Sequence, residues 1–256
     1  MAHTILTMTR GDESRIEEWV RYHATLGFDE FHFILDAPID RTEDVLRALE
    51  VDAKITIDIR EPQGDYYDNM TPAERWTRVK QWRIDHADEI AASGMPANDA
   101  LAMRNYQHFP PVLETYAQRN DGWLALIDVD EYIVLQHPLT LQELTTTSNQ
   151  PRIRLLNFNF DMSHHVPGTS VLGNTMRWNR EDLLAYGKGW QNRVKSIVRY
   201  DSLVPMVSVH QISRGPFVTV NPEIGRLHHY RPVDQGIAEL PYSVEDTTLR
   251  DYWASR

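Results

Sequence analysis

The sequence has 256 residues, of which 41% are hydrophobic and 25% are charged, as expected of one globular domain. It contains no cysteine, which excludes disulfides, zinc–thiolate sites and cysteine nucleophiles, so any metal must be bound by oxygen or imidazole. The formal net charge of −11 argues against broad contact with nucleic acid, and no apolar run is long enough for a membrane span. We therefore expect a cytoplasmic protein.

The first sixty residues predict strands alternating with helices. Apolar patterns indicate strands near Ile5, at 31–35 and at 55–59, and helices at 16–26 and 43–49. A capping box of Ser14 and Glu17 is expected to begin the first helix, and Gly27 to end it. This alternation predicts parallel βαβ units, with ligands bound at the carboxyl ends of the strands.

Two helices and a buried strand are predicted next. Thr71 and Glu74 form a capping box for a helix expected to run to about Ile90. A second helix begins near Asn98, and the prolines at 110–111 are expected to break or kink it. The apolar run 123–127 is typical of a strand buried on both faces. Later strands are expected at 152–156, 194–199 and 207–210.

The buried strand ends in the acidic segment Asp128-Val129-Asp130-Glu131. If this segment is extended, alternation places Asp128 and Asp130 on the same side, where they would bind a hard cation. Mg²⁺ or Mn²⁺ bound there would stabilise the charge on a leaving nucleoside diphosphate. Adjacent acids also occur in solvated turns, but the apolar residues on both sides favour the metal site. Because three crowded carboxylates repel, removing Asp130 is expected to raise the metal-free stability slightly.

Several segments carry a resemblance to a known group of enzymes. The segment WLALIDVDEYIVL resembles the metal-binding segment of GT-A-fold glycosyltransferases, in particular families 2 and 92, whose motif is Asp-x-Asp-Glu followed by an aromatic residue. The opening TMTRGDESRIEEWVRYHATLGFDEFHFILD is similar to their N-terminal block, with matches at Glu18, Trp19, Tyr22, His23, Leu26 and Gly27. The later segments RVKSIVR and LHHY are also similar. The resemblance covers most of the chain and implies a GT-A-like α/β fold with a mostly parallel central sheet and a mixed second half.

The resemblance also implies a donor site. Thr7, Arg10 and Asp36 would lie around the nucleotide, and Gln107 stands where the family often has glutamine. Lys195 could neutralise donor phosphate, although it is equally explained as an exposed strand residue.

For the metal ligands and the catalytic base, the resemblance leaves more than one residue open. Asp128 would lie near the ribose and the metal, and Asp130 would bind the metal directly. A late histidine would complete the site, with His229 as the first choice and His210 as the second. An inverting transfer needs a carboxylate base, and the eligible residues are Asp161, Glu181 and Asp182, the last two being equally explained as a helix start. The loop FDMSHH at 160–165 departs from the family's Phe-Gly-Ser-Ser-Gly-His, so we expect an altered acceptor pocket.

The sequence therefore predicts a metal-dependent glycosyltransferase domain over 1–256, with a donor half at 1–135 and an acceptor half at 136–256. Its partners would be a nucleoside diphosphate sugar and a glycan or other hydroxyl acceptor. One alternative is a metal-dependent nucleotidyl or phosphoryl transferase, which would also need a basic cluster for a triphosphate. The other is a carbohydrate- or nucleotide-binding module without catalytic activity.

Overall fold

A computed structural model describes residues 1–94, 97–119, 121–186, 193–231 and 240–255. In that part of the chain the strands are β1 Ala2–Thr9, β2 Glu30–Asp36, β3 Lys54–Arg60, β4 Gly122–Leu126, β5 Glu131–Leu135, β6 Arg152–Asn159, β7 Met176–Trp178, β8 Val194–Arg199, β9 Phe217–Thr219, β10 Gly225–His229 and β11 Tyr242–Glu245. The α-helices are α1 Ile16–Leu26, α2 Thr42–Ala48, α3 Pro72–Asp85, α4 Ala87–Ser93, α5 Ala100–Ala117, α6 Leu141–Thr147, α7 Arg180–Tyr186 and α8 Thr248–Ala254.

One large sheet has the strand order β3-β2-β1-β4-β8-β6-β10-β5, with β9 also paired to β6. The strands β3, β2, β1 and β4 are parallel neighbours. In the second half, β8 runs antiparallel to both β4 and β6, and β5 runs antiparallel to β10. The prediction of an α/β fold with a mostly parallel sheet and a mixed second half is confirmed.

The two faces of the sheet bury different helices. Successive strand residues point to opposite faces, so Ile5 packs in one core with Trp19 of α1, while Leu6 packs in another with Leu113 of α5. All five residues of β4 are buried, because β4 lies inside the sheet and is covered on both faces. The acidic segment that follows β4 therefore starts from a rigid, fully packed position. Within the described residues, we find no helix with the length and apolar character needed to cross a bilayer.

Side chains of α1 bind the edge of β5. The Trp19 Nε1–H donates to the Glu131 carbonyl at 2.7 Å, and the Tyr22 hydroxyl donates to the Ile133 carbonyl at 2.8 Å. The Ile133 N–H in turn donates to His23 Nε2 at 3.2 Å. These bonds satisfy backbone groups of a strand whose other edge pairs with β10. The matched Trp, Tyr and His positions of α1 thus hold the strand that begins at Glu131.

Several local predictions were wrong. Arg15, not Ser14, is the N-cap of α1, and no side-chain hydrogen bond caps that helix. The helix that begins with the Thr71 capping box ends at Asp85, and α4 follows it. The helix α5 does not break at the prolines but continues through both, and apolar residues before and after them are buried on the same face of the sheet. Residues 207–210 form a turn closed by the Ser208 and Gln211 bridge, not a strand.

Candidate metal and donor site

The segment from Asp128 to Asp130 is a turn between β4 and β5, closed by the Glu131 N–H donating to the Asp128 carbonyl at 3.0 Å. The expectation that strand alternation directs both carboxylates was wrong, because a turn does not impose that alternation. Asp128 and Asp130 contact different partners. The turn lies at the carboxyl end of β4, an interior strand of the sheet.

Asp128 contacts a buried lysine. Lys195 Nζ lies 3.1 Å from Asp128 Oδ2 and 3.1 Å from Glu131 Oε2, and the side chains of Lys195 and Glu131 are each only 1% exposed. Glu131 Oε2 also accepts the Asp128 N–H at 2.9 Å. Burial raises the pKa of Glu131 to about 7, although the Lys195 ammonium opposes this shift. Burial lowers the pKa of Lys195, but Asp128 and Glu131 outweigh it, so that pKa is raised and the lysine stays charged.

Asp130 contacts His229 of β10. Their Oδ2 and Nε2 atoms lie 3.4 Å apart, and the side chains are 22% and 12% exposed. Burial alone would lower the pKa of His229, but the Asp130 carboxylate more than offsets it, so that pKa is raised. Burial would raise the pKa of Asp130, and the His229 imidazolium outweighs this, so that pKa is well below its usual value. Asp130 therefore has a favourable partner, and its removal is expected to cost stability, opposite to the expectation from sequence.

A second polar side chain contacts the same imidazole. Asn157 Nδ2 lies 3.2 Å from His229 Nδ1, and Asn157 Oδ1 is buried without a hydrogen-bond partner in the described residues. Rotating the amide by half a turn places Oδ1 beside Nδ1, where it accepts an Nδ1–H. That arrangement would leave the Nε2 lone pair directed toward Asp130 and its surroundings.

The donor set fits a divalent cation held at Asp130 and His229. One carboxylate and one imidazole are ligands that Mn²⁺ accepts, and such ions commonly retain water and substrate phosphate as further ligands. Asp128 is less available, because it is paired with Lys195. In the described part of the chain, no group of three or more His, Asp or Glu side chains forms a complete ligand set. Among the described residues, Asp130 and His229 are thus the two side chains best placed to act as ligands.

A cleft of about 270 Å³ opens at the carboxyl ends of β1 and β2. It is lined by Arg10, Asp36, Tyr66 and Arg104, among others. Arg10 and Arg104 place their guanidinium carbons 3.6 Å and 4.1 Å from the centre of the Tyr66 ring. Two guanidinium groups thus contact the ring of one tyrosine. Asp36 accepts from the Tyr66 hydroxyl at 3.0 Å and from Arg104 Nε at 2.7 Å. We call this arrangement the Tyr66 stack.

Three of the predicted donor and metal residues do not line this cleft. Thr7 is buried within β1, and its hydroxyl has no hydrogen-bond partner in the described residues. Gln107 is exposed on α5 and does not line the cleft, whereas Arg104, one turn earlier, contacts Asp36. His210 lies on the turn after Ser208, with Nδ1 3.2 Å from the Val194 carbonyl. Burial of its ring and the nearby Lys195 charge lower the pKa of His210 to about 4.

The three candidate bases have different surroundings. Asp161 directly follows Phe160, whose N–H donates to the His229 carbonyl at 2.9 Å, so Asp161 lies close to the Asp130 site. Glu181 is exposed in the first turn of α7. Asp182 accepts from the Ser243 hydroxyl at 3.4 Å, where β11 begins. Of the three candidates, Asp161 is therefore the one whose chain neighbour is hydrogen-bonded to a candidate metal ligand.

The sequence profile of glycosyltransferase family 92 matches residues 117–253, which is more than half of the chain. The chain belongs to glycosyltransferase family 92. The match includes β4, the acidic turn, Lys195 and His229. Together with the parallel β3-β2-β1-β4 half of the sheet, this membership supports the GT-A-like fold and the prediction of a glycosyltransferase.

Solved structures show distant likeness to the family 92 chain. The crystal structure of S. aureus TarS 1-349 is 12% identical with a TM-score of 0.45, and the match covers 90% of this chain and 60% of that one. The same TarS fragment in complex with UDP-GlcNAc is 11% identical over 94% of this chain and 62% of that one, with a TM-score of 0.43. HddC from Yersinia pseudotuberculosis is 9% identical over 90% of this chain and 93% of that one, with a TM-score of 0.39. No curated protein matches the sequence significantly.

Sequence reasoning missed Tyr66, Arg104 and Asn157 of this family 92 chain. Arg104 is separated from Asp36 by 68 residues, and Asn157 from His229 by 72, so no local spacing indicates either contact. The burial of Glu131, the third acid of the motif, did have a local signal. A strand that continues in apolar residues after an acid predicts that the acid is buried and needs a cation, which Lys195 supplies.

Proposed function

We propose that the chain transfers a monosaccharide from a nucleoside diphosphate sugar to an acceptor hydroxyl, with inversion, and that the transfer depends on Mn²⁺ or Mg²⁺. The observation that carries this proposal is the contact between Asp130 and His229 at the carboxyl end of β4. It provides an oxygen and an imidazole ligand at the edge of the sheet where α/β proteins bind their ligands. Family membership supplies the reaction class.

Asp130 and His229 would hold the cation. When bound, the cation stabilises the negative charge that develops on the departing nucleoside diphosphate. Lys195 keeps a fixed positive charge beside Asp128 and Glu131 and so limits the repulsion between the acidic turn and a diphosphate.

The Tyr66 stack would form one wall of the nucleotide site. Asp36 already accepts two hydrogen bonds from the protein, yet a carboxylate has further lone pairs for a base or ribose donor. Arg10 is fixed by Asp68 and by backbone carbonyls, so its charge is preorganised beside the cleft. Preorganised charges of this kind stabilise a bound anion at little reorganisation cost.

Asp161 is our choice for the base. In the reaction the acceptor oxygen forms a bond to the anomeric carbon, and the bond from that carbon to the diphosphate oxygen breaks. The diphosphate leaves with the bonding electron pair, and the acceptor proton passes to the Asp161 carboxylate. Attack opposite the leaving group inverts the anomeric configuration. Asp161 is favoured over Glu181 and Asp182 because Phe160, its neighbour in the chain, is hydrogen-bonded to the His229 backbone.

Nucleotide release from a panel of nucleoside diphosphate sugars tests the proposal. We expect nucleotide release with Mn²⁺ and none with a chelator. In Asp130→Ala the release rate should fall by at least about 100-fold, which is the usual effect of removing one strong electrostatic contact to the transition state. Asp121→Ala is the matched control, because Asp121 is an exposed acid just before the opposite end of β4. Release from a triphosphate substrate instead would favour a nucleotidyl transferase, and cation-dependent binding without release would favour a binding module.

A further inference from the structure

A separate cleft lies beside the candidate metal ligands. It has a volume of about 270 Å³ and is lined by Ser14, Arg15, Met162, His165, Val171 and Tyr230, among others. We call it the His165 cleft. The backbone N–H of Tyr230 donates to the Asp130 carbonyl at 2.8 Å, which fixes one wall of the cleft against the acidic turn. The charge of Arg15, on the other wall, helps lower the pKa of Asp130. The cleft and the candidate metal ligands are therefore neighbours.

The tautomer of His165 follows from its contacts. Asn174 Nδ2 donates to the Val171 carbonyl at 3.1 Å, which determines which end of the amide carries the hydrogens. The same nitrogen lies 3.0 Å from His165 Nδ1, so Nδ1 accepts a hydrogen bond and carries no proton. Burial and the nearby Arg15 charge lower the pKa of His165, so the ring is neutral with its proton on Nε2. In the described residues, Nε2 has no hydrogen-bond partner.

The remaining lining combines apolar surface with hydroxyl groups. Met162, Val171 and Tyr230 are buried and present apolar atoms, while Ser14, Ser163 and Thr169 contribute hydroxyl oxygens. The cleft volume is about nine times that of one water molecule in the liquid, which is enough for one sugar ring. A pyranose has the same combination of an apolar ring face and a polar rim of hydroxyl groups.

We propose that the His165 cleft binds a pyranose ring of the acceptor and that the His165 Nε2–H donates a hydrogen bond to one of its oxygens. This proposal rests on the proposed function, because it assigns the acceptor of the same reaction. The Ser163 N–H donates to Asp161 Oδ1 at 2.9 Å, so the same loop carries a cleft residue and the candidate base. The acceptor contact at His165 and the candidate base would therefore belong to one loop.

Three variants distinguish a contact to the acceptor from a purely structural role. His165→Leu removes the donor, His165→Gln retains an amide N–H near the position of Nε2, and His164→Leu alters the exposed neighbouring histidine as a control. The probes are methyl pyranosides of common hexoses, added to the protein with Mn²⁺ and a donor that it hydrolyses. The nucleotide release rate is measured against pyranoside concentration.

We expect at least one pyranoside to accelerate release in a saturable way. In His165→Leu its half-saturating concentration should rise about threefold to tenfold. His165→Gln should recover much of the affinity, and His164→Leu should match the unaltered chain. Saturation-transfer NMR with the same pyranoside should weaken in His165→Leu in parallel.

Other outcomes overturn the proposal. Equal half-saturation in His165→Leu and the unaltered chain would show that His165 does not contact the acceptor. A loss in His165→Leu that His165→Gln does not recover, accompanied by a lower melting temperature, would assign His165 a structural role. Donor turnover that no pyranoside accelerates would exclude a sugar acceptor while leaving the proposed transferase intact. Absence of turnover with every donor would overturn the proposed function itself.

Discussion

The imidazole of His229, on β10, lies 3.4 Å from the carboxylate of Asp130, in the turn after β4. The two residues are 99 positions apart in the sequence, and the sheet brings them together because β10 pairs with β5 and the Tyr230 N–H donates to the Asp130 carbonyl. When His229 is protonated in the metal-free protein, this contact is an ion pair. With a divalent cation we expect the same two side chains to become ligands.

Asp130→Ala should lower the metal-free stability. Because His229 then loses its carboxylate partner, we expect a loss of about 1 kcal/mol, which corresponds to a fall of about 2–4 °C in melting temperature. Thermal unfolding in the presence of a chelator measures this change. Asp121→Ala should leave the melting temperature unchanged, and a higher melting temperature in Asp130→Ala would mean that carboxylate repulsion dominates the turn.

Metal-free stability and metal affinity should respond to pH in opposite directions. The pKa of His229 is raised above its ordinary value of 6.5, so the stability from its pairing with Asp130 is fully present below that value and is lost as the pH rises through the folded-state pKa. A metal ligand must be unprotonated, so Mn²⁺ binding should tighten over the same rise in pH. Melting curves with and without Mn²⁺, from about pH 5.5 to 8.5, test whether the stability falls and the Mn²⁺ affinity rises with pH. In His229→Gln both slopes should become shallower, and slopes equal to those of the unaltered chain would assign them to another group, such as Glu131, whose pKa burial raises to about 7.

Asn157 should orient His229 for metal binding. Asn157→Leu removes the only side-chain partner of Nδ1 in the described residues, and we expect the Mn²⁺ concentration for half-maximal thermal stabilisation to rise about 10- to 100-fold. Asn157→Asp keeps an acceptor oxygen and should stay close to the unaltered chain. If both variants bind Mn²⁺ as tightly as the unaltered chain does, Asn157 contributes only to packing.

Lys195 and Glu131 form a buried pair. Replacing either residue alone should lower the free energy of unfolding. In Lys195→Met the Glu131 carboxyl remains buried without its cation, and at a pH high enough to ionise that carboxyl we expect a loss of about 3–5 kcal/mol in the free energy of unfolding by urea. The double variant Lys195→Met with Glu131→Gln should recover part of this loss. Additive effects of the two substitutions would contradict a direct coupling between the two side chains.

The first half of the fold was predictable because its signals are local. Strand β3 alternates apolar and polar residues, and Gly27, at a φ of +113°, ends α1 as its conformational freedom predicts. The acidic end of β4 was visible because a continuous apolar run stops at Asp128. The sequence also indicated His229 as the first histidine to consider, although that choice came from a resemblance to known enzymes.

The contacts that define the site were not predictable from spacing. Lys195 is 67 residues from Asp128, and its burial depends on the antiparallel pairing of β8 with β4. The helix α5 runs through two prolines because the packing of Phe109 and Leu113 outweighs the lost backbone hydrogen bonds. The helix and strand propensities of the residues predict such segments poorly, because long-range packing determines their structure.

Binding of Mn²⁺ in the presence of a nucleoside diphosphate tests the central claim most directly. The free-Mn²⁺ signal in electron paramagnetic resonance is titrated with the unaltered chain, Asp130→Ala, His229→Ala and the control His210→Ala. We predict that the unaltered chain and His210→Ala deplete the signal when the nucleotide is present, and that the other two variants require at least tenfold more protein. Equal depletion by Asp130→Ala and the unaltered chain would contradict a metal site at Asp130 and His229.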